Sequence, residues 1–385
     1  MSATTPRHAA RETEETMGNP VVDQPTSAMA WRRSSFASPT DYSVVFSDAD
    51  RAELTAAVRR LAAGGRLDPI HALTRAEFLL PKLGPRLAAA YEDVRAGRGF
   101  VVLRGLPIDG LSLEEFTAAV WGIGTWFGYP LSQNAQGELV SYVVDATSVD
   151  ATPRMYRSNL ELRLHTDVTA MIALACWQPA QEGGDSFLAS ALTIHDEIKR
   201  RAPHLLEPLY RGFHYHRLGE EGPGEEPVTP YRMPVFAIRN GQLSCRYQRA
   251  GIAAGERALG HALSEIDLQA LNLFDEVARA PENRLAFSLE RGEMVAVNNY
   301  TVLHARTQFT EYPEPERRRR LVRLWLDADG FRDVPREFYL FATNGVPPQP
   351  GKTCTFDFKK LYSDDPRATG GMPHTELKRS ELARP

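Results

Sequence analysis

The stretch Arg157-Ser-Asn-Leu-Glu-Leu-Arg-Leu-His-Thr-Asp167 alternates in character. Arg157, Asn159, Glu161, Arg163, His165 and Asp167 are polar or ionisable, whereas Leu160, Leu162 and Leu164 are apolar. A period of two marks a strand with one face in a core. Its polar face ends in His165 and Asp167, which stand two residues apart and so point to the same side of a strand. An imidazole and a carboxylate aimed at one point are two ligands of a 2-His-1-carboxylate triad, the arrangement that suits Fe(II) and leaves three coordination positions open. Taken singly, the triplet also describes a strand carrying a satisfied histidine. The reading therefore turns on a second, distant histidine.

Working outward, a chain of 385 residues with 43% apolar content suits one large domain with a sizeable core. Its 45 Lys+Arg against 49 Asp+Glu leave a net charge of −4, so no overall field draws nucleic acid or an anionic membrane. Cys176, Cys245 and Cys354 are too scattered for a zinc site or a disulfide framework and suit a reducing cytoplasm. Cys176, inside Ile172-Ala-Leu-Ala-Cys-Trp177, reads as a small buried hydrophobe. The first thirty residues hold no apolar run, so they lack a signal-peptide core, and nowhere do eighteen apolar residues run together. Oligomeric state is not legible, and a homo-oligomer stays open.

Residues 1–40, rich in Thr, Glu and Pro, read as a flexible leader, with Ala28-Met29-Ala30-Trp31 placed to fasten its end. Residues 41–343 read as a single domain and 344–385 as a loop-rich tail. Within the domain, Ser47 caps a helix that ends at Gly64-Gly65, a second helix covers Pro85–Arg95, and Ser112-Leu-Glu-Glu115 opens a third through Trp126. Further helices are expected at Thr193–Arg201 and Ser264–Ala280. Strands are expected near 99–105, 139–144, 170–177, 186–190, 284–289, 294–298 and 321–326, with a hairpin turned by Asn240-Gly241. The stretch 203–232 reads as an irregular lid over a site. Helices followed by many short strands predict a mainly β core with flanking helices, of the double-stranded β-helix (jelly-roll) type.

The best distant partner for His165 and Asp167 is His304, which follows the apolar strand 294–298 in Asn298-Asn-Tyr-Thr-Val-Leu-His-Ala-Arg306. Downstream, alternation divides the run Glu316–Leu326. Val322, Leu324 and Leu326 share one face; Arg319, Leu321 and Arg323 share the other. A guanidinium pointing into a core needs an anion. A dicarboxylate would satisfy it bidentately, and Ser186, after the Gly183-Gly184-Asp185 turn, could add a hydroxyl. Asn159 and Glu161 share the expected ligand face and are candidates for the pocket floor, pairing of Glu161 with Arg163 being the alternative. His214-Tyr-His216 is a rival metal pair without a carboxylate partner.

In this order and at these separations, His165-Thr166-Asp167, the Gly-Gly-Asp-Ser turn at 183–186, His304 with Arg306, and Arg319 with Arg323 resemble the Fe(II)/2-oxoglutarate-dependent dioxygenases of the taurine dioxygenase and clavaminate synthase-like family. The resemblance spans roughly residues 95–330. It implies that His165, Asp167 and His304 hold Fe(II). It further implies that Arg319 and Ser186, where the family usually has Thr, bind 2-oxoglutarate. Arg323 resembles a position that meets a substrate anion. O2 is then the other cosubstrate, succinate and CO2 are released, and an unactivated C–H of a small molecule (an amino acid, amine or secondary metabolite) is hydroxylated. Relatives that halogenate replace the carboxylate ligand with a small residue, so Asp167 speaks against that outcome. Two other readings remain: a catalytically silent barrel that binds a small ligand or partner, and a metal-dependent hydrolase, which has no use for Arg319.

Overall fold

A computed structural model describes residues 27–148, 155–342 and 344–351; Cys354 lies outside them. In chain order the strands are β1 (Ser43–Val45), β2 (Phe100–Arg104), β3 (Tyr129–Pro130), β4 (Val140–Val143), β5 (Leu162–His165), β6 (Met171–Gln178), β7 (Glu182–Gly183) and β8 (Ser186–Ser190). They continue with β9 (Phe236–Arg239), β10 (Gln242–Cys245), β11 (Arg284–Phe287), β12 (Glu293–Asn298), β13 (Val302–Arg306), β14 (Phe309–Thr310) and β15 (Arg320–Asp327). The helices are α1 (Asp48–Ala63), α2 (Leu83–Arg95), α3 (Leu113–Gly124), α4 (Ala191–Arg201), α5 (Leu206–Arg211), α6 (Arg249–Ala258) and α7 (Glu265–Arg279).

Two sheets face each other. The larger runs β1-β2-β12-β6-β15-β3 with β4 also on β15, and it is mixed, since β1 pairs parallel to β2 while its other pairings are antiparallel. The smaller runs β11-β8-β13-β5. Period-two patterning decides which side chains meet between them. Phe100, Val102, Ile172, Cys176, Val295, Val297, Leu321 and Trp325 of the larger sheet pack with Leu188, Leu285 and Val302 of the smaller. The alternate residues, including Val101, Leu103, Ala173, Met294, Val322 and Leu324, face the opposite way against α1–α3. The outer side of the smaller sheet is covered by α4, α5, α7 and the β9–β10 hairpin. The architecture is thus mixed sheets with flanking helices.

Local chemistry explains the helix starts. Ser47, Ser112 and Ser264 each accept from the backbone N–H three residues on, while Asp50, Glu115 and Asp267 reach back to the cap. The hairpin turns on Asn240 and Gly241, both at positive φ (48° and 71°), as a type I′ turn requires. Burial pushes the Cys176 thiol up to about 12, in keeping with an inert apolar side chain.

One expectation needs correction, and two elements were not foreseen. The stretch 203–232 is not wholly irregular, because Leu206–Arg211 is helical. His304, expected only to follow the strand 294–298, lies inside a strand of its own, β13, after Asn298–Thr301 carry the chain from one sheet to the other. And α6 carried no visible signal, having no side-chain cap and glycines at 251 and 255. Those glycines are there for contact: a Cβ on Gly255 would lie 2.3 Å from the His214 carbonyl oxygen. Helix propensity alone favours alanine there by about 1 kcal/mol. A clash with backbone outweighs that gain, because overpacking costs about 1–3 kcal/mol and the carbonyl cannot rotate away. Gly255→Ala should therefore lower Tm by several degrees; an unchanged or raised Tm in thermal unfolding would contradict the packing described.

Residues 215–231 are fastened to residues 339–349. Arg217 Nε donates to the Leu340 carbonyl at 2.8 Å, Tyr231 Oη to the Tyr339 carbonyl at 2.5 Å, and the Ala342 amide to Glu225 Oε1 at 2.6 Å. Gln349 Nε2 reaches the Glu221 carbonyl at 2.5 Å. Both segments contribute to one cavity. At the other end of the described chain, Met29 and Trp31 are buried, with Trp31 Nε1 donating to the Arg98 carbonyl at 2.7 Å.

Candidate metal centre

Between the sheets lies a cavity of about 180 Å³. Ile172, Leu174, Val295, Val297 and Leu321 of the larger sheet make it apolar on one side, and Ser186, Leu188, His304 and Arg306 of the smaller sheet line the other. His165 and His304 stand directly opposite each other in the β5–β13 ladder, with ring centroids 4.3 Å apart. His165 Nε2 lies 3.5 Å from Asp167 Oδ1, and His304 Nε2 lies 3.7 Å from Asp167 Oδ2. The three donor atoms all fall within 4.8 Å of one another, the only such His/Cys/Asp/Glu group among the described residues. His214 and His216 form no such group; their ring nitrogens are engaged by the Thr229 carbonyl and the Leu218 amide.

The donor chemistry fits a divalent cation. His165 Nδ1–H donates to the Arg163 carbonyl at 2.8 Å, which leaves its Nε2 lone pair turned to the centre. His304 Nδ1 is buried with no hydrogen-bond partner among the described residues. Burial, the His165 ring and Arg323 push His304 down to about 3, against the pull of Asp167, so its imidazole is neutral at physiological pH. Burial would raise the Asp167 carboxyl, but its His165 and His304 neighbours and the Arg323 guanidinium outweigh burial and hold it ionised, well below the usual carboxylate range. A neutral imidazole and an ionised carboxylate are the forms that bind metal. Trp325 Nε1 donates to Asp167 Oδ2 at 3.1 Å and Asn299 Oδ1 accepts from the Asp167 backbone N–H at 3.2 Å, holding the side chain and the backbone of that residue respectively.

The expected pocket floor is corrected. Asn159 and Glu161 do not line the cavity, and Glu161 is exposed. The cause is a bulge: His304 pairs with His165, but two residues on Arg306 pairs with Leu162, three residues back. One extra residue in β5 reverses the alternation, turning Leu162 inward and Glu161 and Arg163 outward. The strand ends at His165, so Asp167 reaches the centre from the loop beyond it.

Arg319 and Arg323 do face the cavity, each about 4% exposed. Arg323 is caged. Its Nε donates to Gln133 Oε1 at 2.7 Å, and its guanidinium lies 3.8 Å from the Tyr156 ring centre. Its Nη2 is buried without a hydrogen-bond partner among the described residues. Arg319 lies 4.9 Å from the Phe309 ring centre, and a Cβ on Gly184 would come within 3.1 Å of its Nε. Ser186 lines the same cavity. Gln133, Tyr156 and Trp325 were not singled out in the sequence. Only Trp325 gave a signal, falling on the Arg323 face of the alternation.

Behind Arg319, the Glu311 carboxylate accepts from its backbone N–H at 2.7 Å. Burial above all, helped by Asp145 and opposed by Arg319, pushes the Glu311 carboxyl up to about 7. Such a carboxyl withdraws stability as pH rises, because the unfolded chain ionises at lower pH than the folded one. Glu311→Gln keeps an acceptor for the Arg319 amide and removes the ionisation. Wild type should lose stability relative to this variant between about pH 5 and 7, by roughly 1–2 kcal/mol after allowing for solvent screening, with a flat difference above. Parallel denaturation curves across that range would contradict the assignment.

The family model described as "Taurine catabolism dioxygenase TauD, TfdA family" matches residues 66–325. FR-33289 synthase of Streptomyces rubellomurinus (strain ATCC 31215) is 32% identical over 316 residues, spanning 80% of this chain and 92% of that protein. The taurine hydroxylase-like protein SAT17 of Stachybotrys chartarum is 30% identical over 309 residues, 77% of this chain and 78% of that one. Among solved structures, asparagine oxygenase in complex with Fe(II), 2S,3S-3-hydroxyasparagine and succinate has the same fold, with TM-score 0.57 and 20% identity over 78% of this chain and 100% of that one. The non-heme iron oxygenase OrfP, in complex with Fe and alpha-ketoglutaric acid, matches at TM-score 0.55 and 15% identity over 74% of this chain and 94% of that one. The chain belongs to the TauD/TfdA family of dioxygenases, non-haem enzymes that use Fe(II), 2-oxoglutarate and O2.

Proposed function

We propose that this oxygenase hydroxylates an unactivated C–H of a small molecule bearing an anionic group, an amino acid or secondary metabolite rather than a simple amine. The observation that carries this reading is the convergence of His165, Asp167 and His304 within 4.8 Å in a cavity that Arg319 and Arg323 also face. In this reading the triad holds Fe(II), Arg319 and Ser186 take the distal carboxylate of 2-oxoglutarate, and the open Nη2 of Arg323 receives the substrate anion. Together with 2-oxoglutarate and O2, bound iron supplies the oxidising power, with release of succinate and CO2.

The chain's own residues do the placing. The Arg163 carbonyl fixes the His165 tautomer, and the Trp325 indole and Asn299 amide hold Asp167 in place. Gln133 and the Tyr156 ring pre-orient Arg323, so its hydrogen bond to an anion costs little ordering entropy. Ile172, Leu174, Val295 and Leu321 keep the wall apolar and exclude water. Besides Asp167, the only carboxylate among the described lining residues is Glu220, which supports an anion over an amine.

The two facing sheets support the double-stranded β-helix as the core, with residues 41–343 as one domain onto which the buried Met29, Trp31 and Val346 of the flanking segments also pack. Buried free thiols at Cys176 and Cys245 support a cytoplasmic setting. No helix among the described residues is long and apolar enough to cross a membrane. The test is succinate release screened over a panel of small acids and amines with product mass read in parallel. An anionic substrate should gain 16 mass units, the weight of one oxygen, in step with succinate. Turnover of cationic amines only would overturn the substrate class.

A further inference from the structure

Arg306 is a buried cation with no ion pair among the described residues, although it is only 6% exposed. It pairs with Ser186 across the β8–β13 ladder, so both side chains stand on the cavity face, next to the rung that joins His304 and Leu188. Its guanidinium lies 4.7 Å from the centre of the Phe309 ring, the same ring that Arg319 stacks on at 4.9 Å. Ser186, Arg306 and Arg319 therefore line the same cavity, with both guanidiniums against one ring and Ser186 opposite Arg306 in the ladder. The Nη1 of Arg306 is buried and has no hydrogen-bond partner among the described residues. An uncompensated buried guanidinium is costly, and a second one beside it adds repulsion, so the cluster is built for an anion.

The other side of the same guanidinium is occupied. Nη2 donates to the Ser158 carbonyl at 2.8 Å and also to the Leu160 carbonyl. Those residues belong to the segment that carries Tyr156, whose ring holds Arg323. One side chain thus touches both the cosubstrate end of the cavity and the segment that shapes the Arg323 seat.

We propose that Arg306 is a second guanidinium for the distal carboxylate of 2-oxoglutarate and, through its grip on Ser158 and Leu160, a positioning residue that passes cosubstrate occupancy to the Tyr156–Arg323 seat. This rests on the reading of the cavity given above. A carboxylate on Nη1 stiffens the guanidinium, the two carbonyls follow it, and Tyr156 settles against Arg323. The Ser158–Leu160 segment is tied by this charged side chain and by the Phe309 amide, which donates to the Asn159 carbonyl at 3.1 Å, so ordering it needs no movement of either sheet.

The experiment uses the full chain loaded with Zn(II), which binds the triad without turnover, and 2-oxoglutarate as the probe. Calorimetry gives its Kd; hydrogen–deuterium exchange of residues 155–162 reports the segment. In the wild type, 2-oxoglutarate should bind and slow exchange in 155–162. Arg306→Gln should bind at least about tenfold more weakly and show no added protection, since it loses a charged hydrogen bond. Arg306→Lys should keep affinity within about fivefold, having the charge, yet lose the protection, because an ammonium cannot span both carbonyls and the carboxylate. If Arg306→Gln fails to fold, Arg306→Lys carries the test alone. Wild-type affinity in Arg306→Gln, or wild-type protection in Arg306→Lys, overturns the proposal while leaving the function reading intact. No binding of 2-oxoglutarate by the wild type sinks that reading, and this proposal with it.

Discussion

Replacing His304 by alanine should abolish both metal retention and turnover while leaving a folded protein. Its ring is buried, neutral and opposite His165, so its loss removes a donor that no neighbour can supply. Activity should drop roughly a thousandfold or more, about 4 kcal/mol of transition-state stabilisation. Under anaerobic conditions Fe(II) with 2-oxoglutarate should give the wild type a weak visible charge-transfer band, absent from His304→Ala and from His165→Ala. Retention of the band in either variant would falsify the ligand assignment. A metal-free but active wild type would do the same.

Arg319→Ala carries the second large effect. Its guanidinium is buried beside Arg306 and faces the cavity with Ser186. Removing one partner of a buried charge pair costs about 2–5 kcal/mol, so 2-oxoglutarate affinity should fall roughly 30- to 5,000-fold, measured as Kd in the Zn(II) form. Arg323 should behave differently. Arg323→Gln should raise KM for the anionic substrate and leave the 2-oxoglutarate Kd within about threefold, because its open Nη2 belongs to the other seat. Four consecutive arginines allow a register error, and Arg317 and Arg318 are the controls. Neither lines the cavity, and the Arg317 guanidinium lies over Tyr312, 3.7 Å from the ring centre. If Arg318→Ala weakens 2-oxoglutarate as much as Arg319→Ala, the assignment fails.

Much of this molecule could be read before its shape was known, and the reasons are local. Ser47, Ser112 and Ser264 announce helices because a cap needs only residues three apart. Asn240-Gly241 announces a hairpin because few residues tolerate two positive φ values. Leu321 and Arg323 declare their face because β15 runs unbroken from Leu321 onward, whereas Arg319 faces the cavity from before the strand, across a shift at Arg320. What stayed hidden depends on partners far along the chain. The bulge that turns Glu161 outward is a property of the β5–β13 pairing, and nothing in Leu162-Arg-Leu-His165 marks it. The cage around Arg323 joins Gln133 and Tyr156 to a strand more than a hundred residues away. Arg246, whose guanidinium donates to the Asp167 carbonyl from the end of the hairpin, was invisible for the same reason. Gly251 and Gly255 in α6 read as breakers until their close neighbours are seen.

The ties between residues 215–231 and 339–349 bear on how the protein is made. As the chain leaves the ribosome, His165, Asp167, His304, Arg319 and Arg323 have all emerged before Tyr339 and Leu340 can fasten the cavity wall through Tyr231 and Arg217. For that interval the proposed site is synthesised while the ties across its wall are still missing. A chain stopped at residue 338 would keep the proposed ligands His165, Asp167 and His304 but lack the Leu340 and Tyr339 carbonyls that anchor Arg217 and Tyr231.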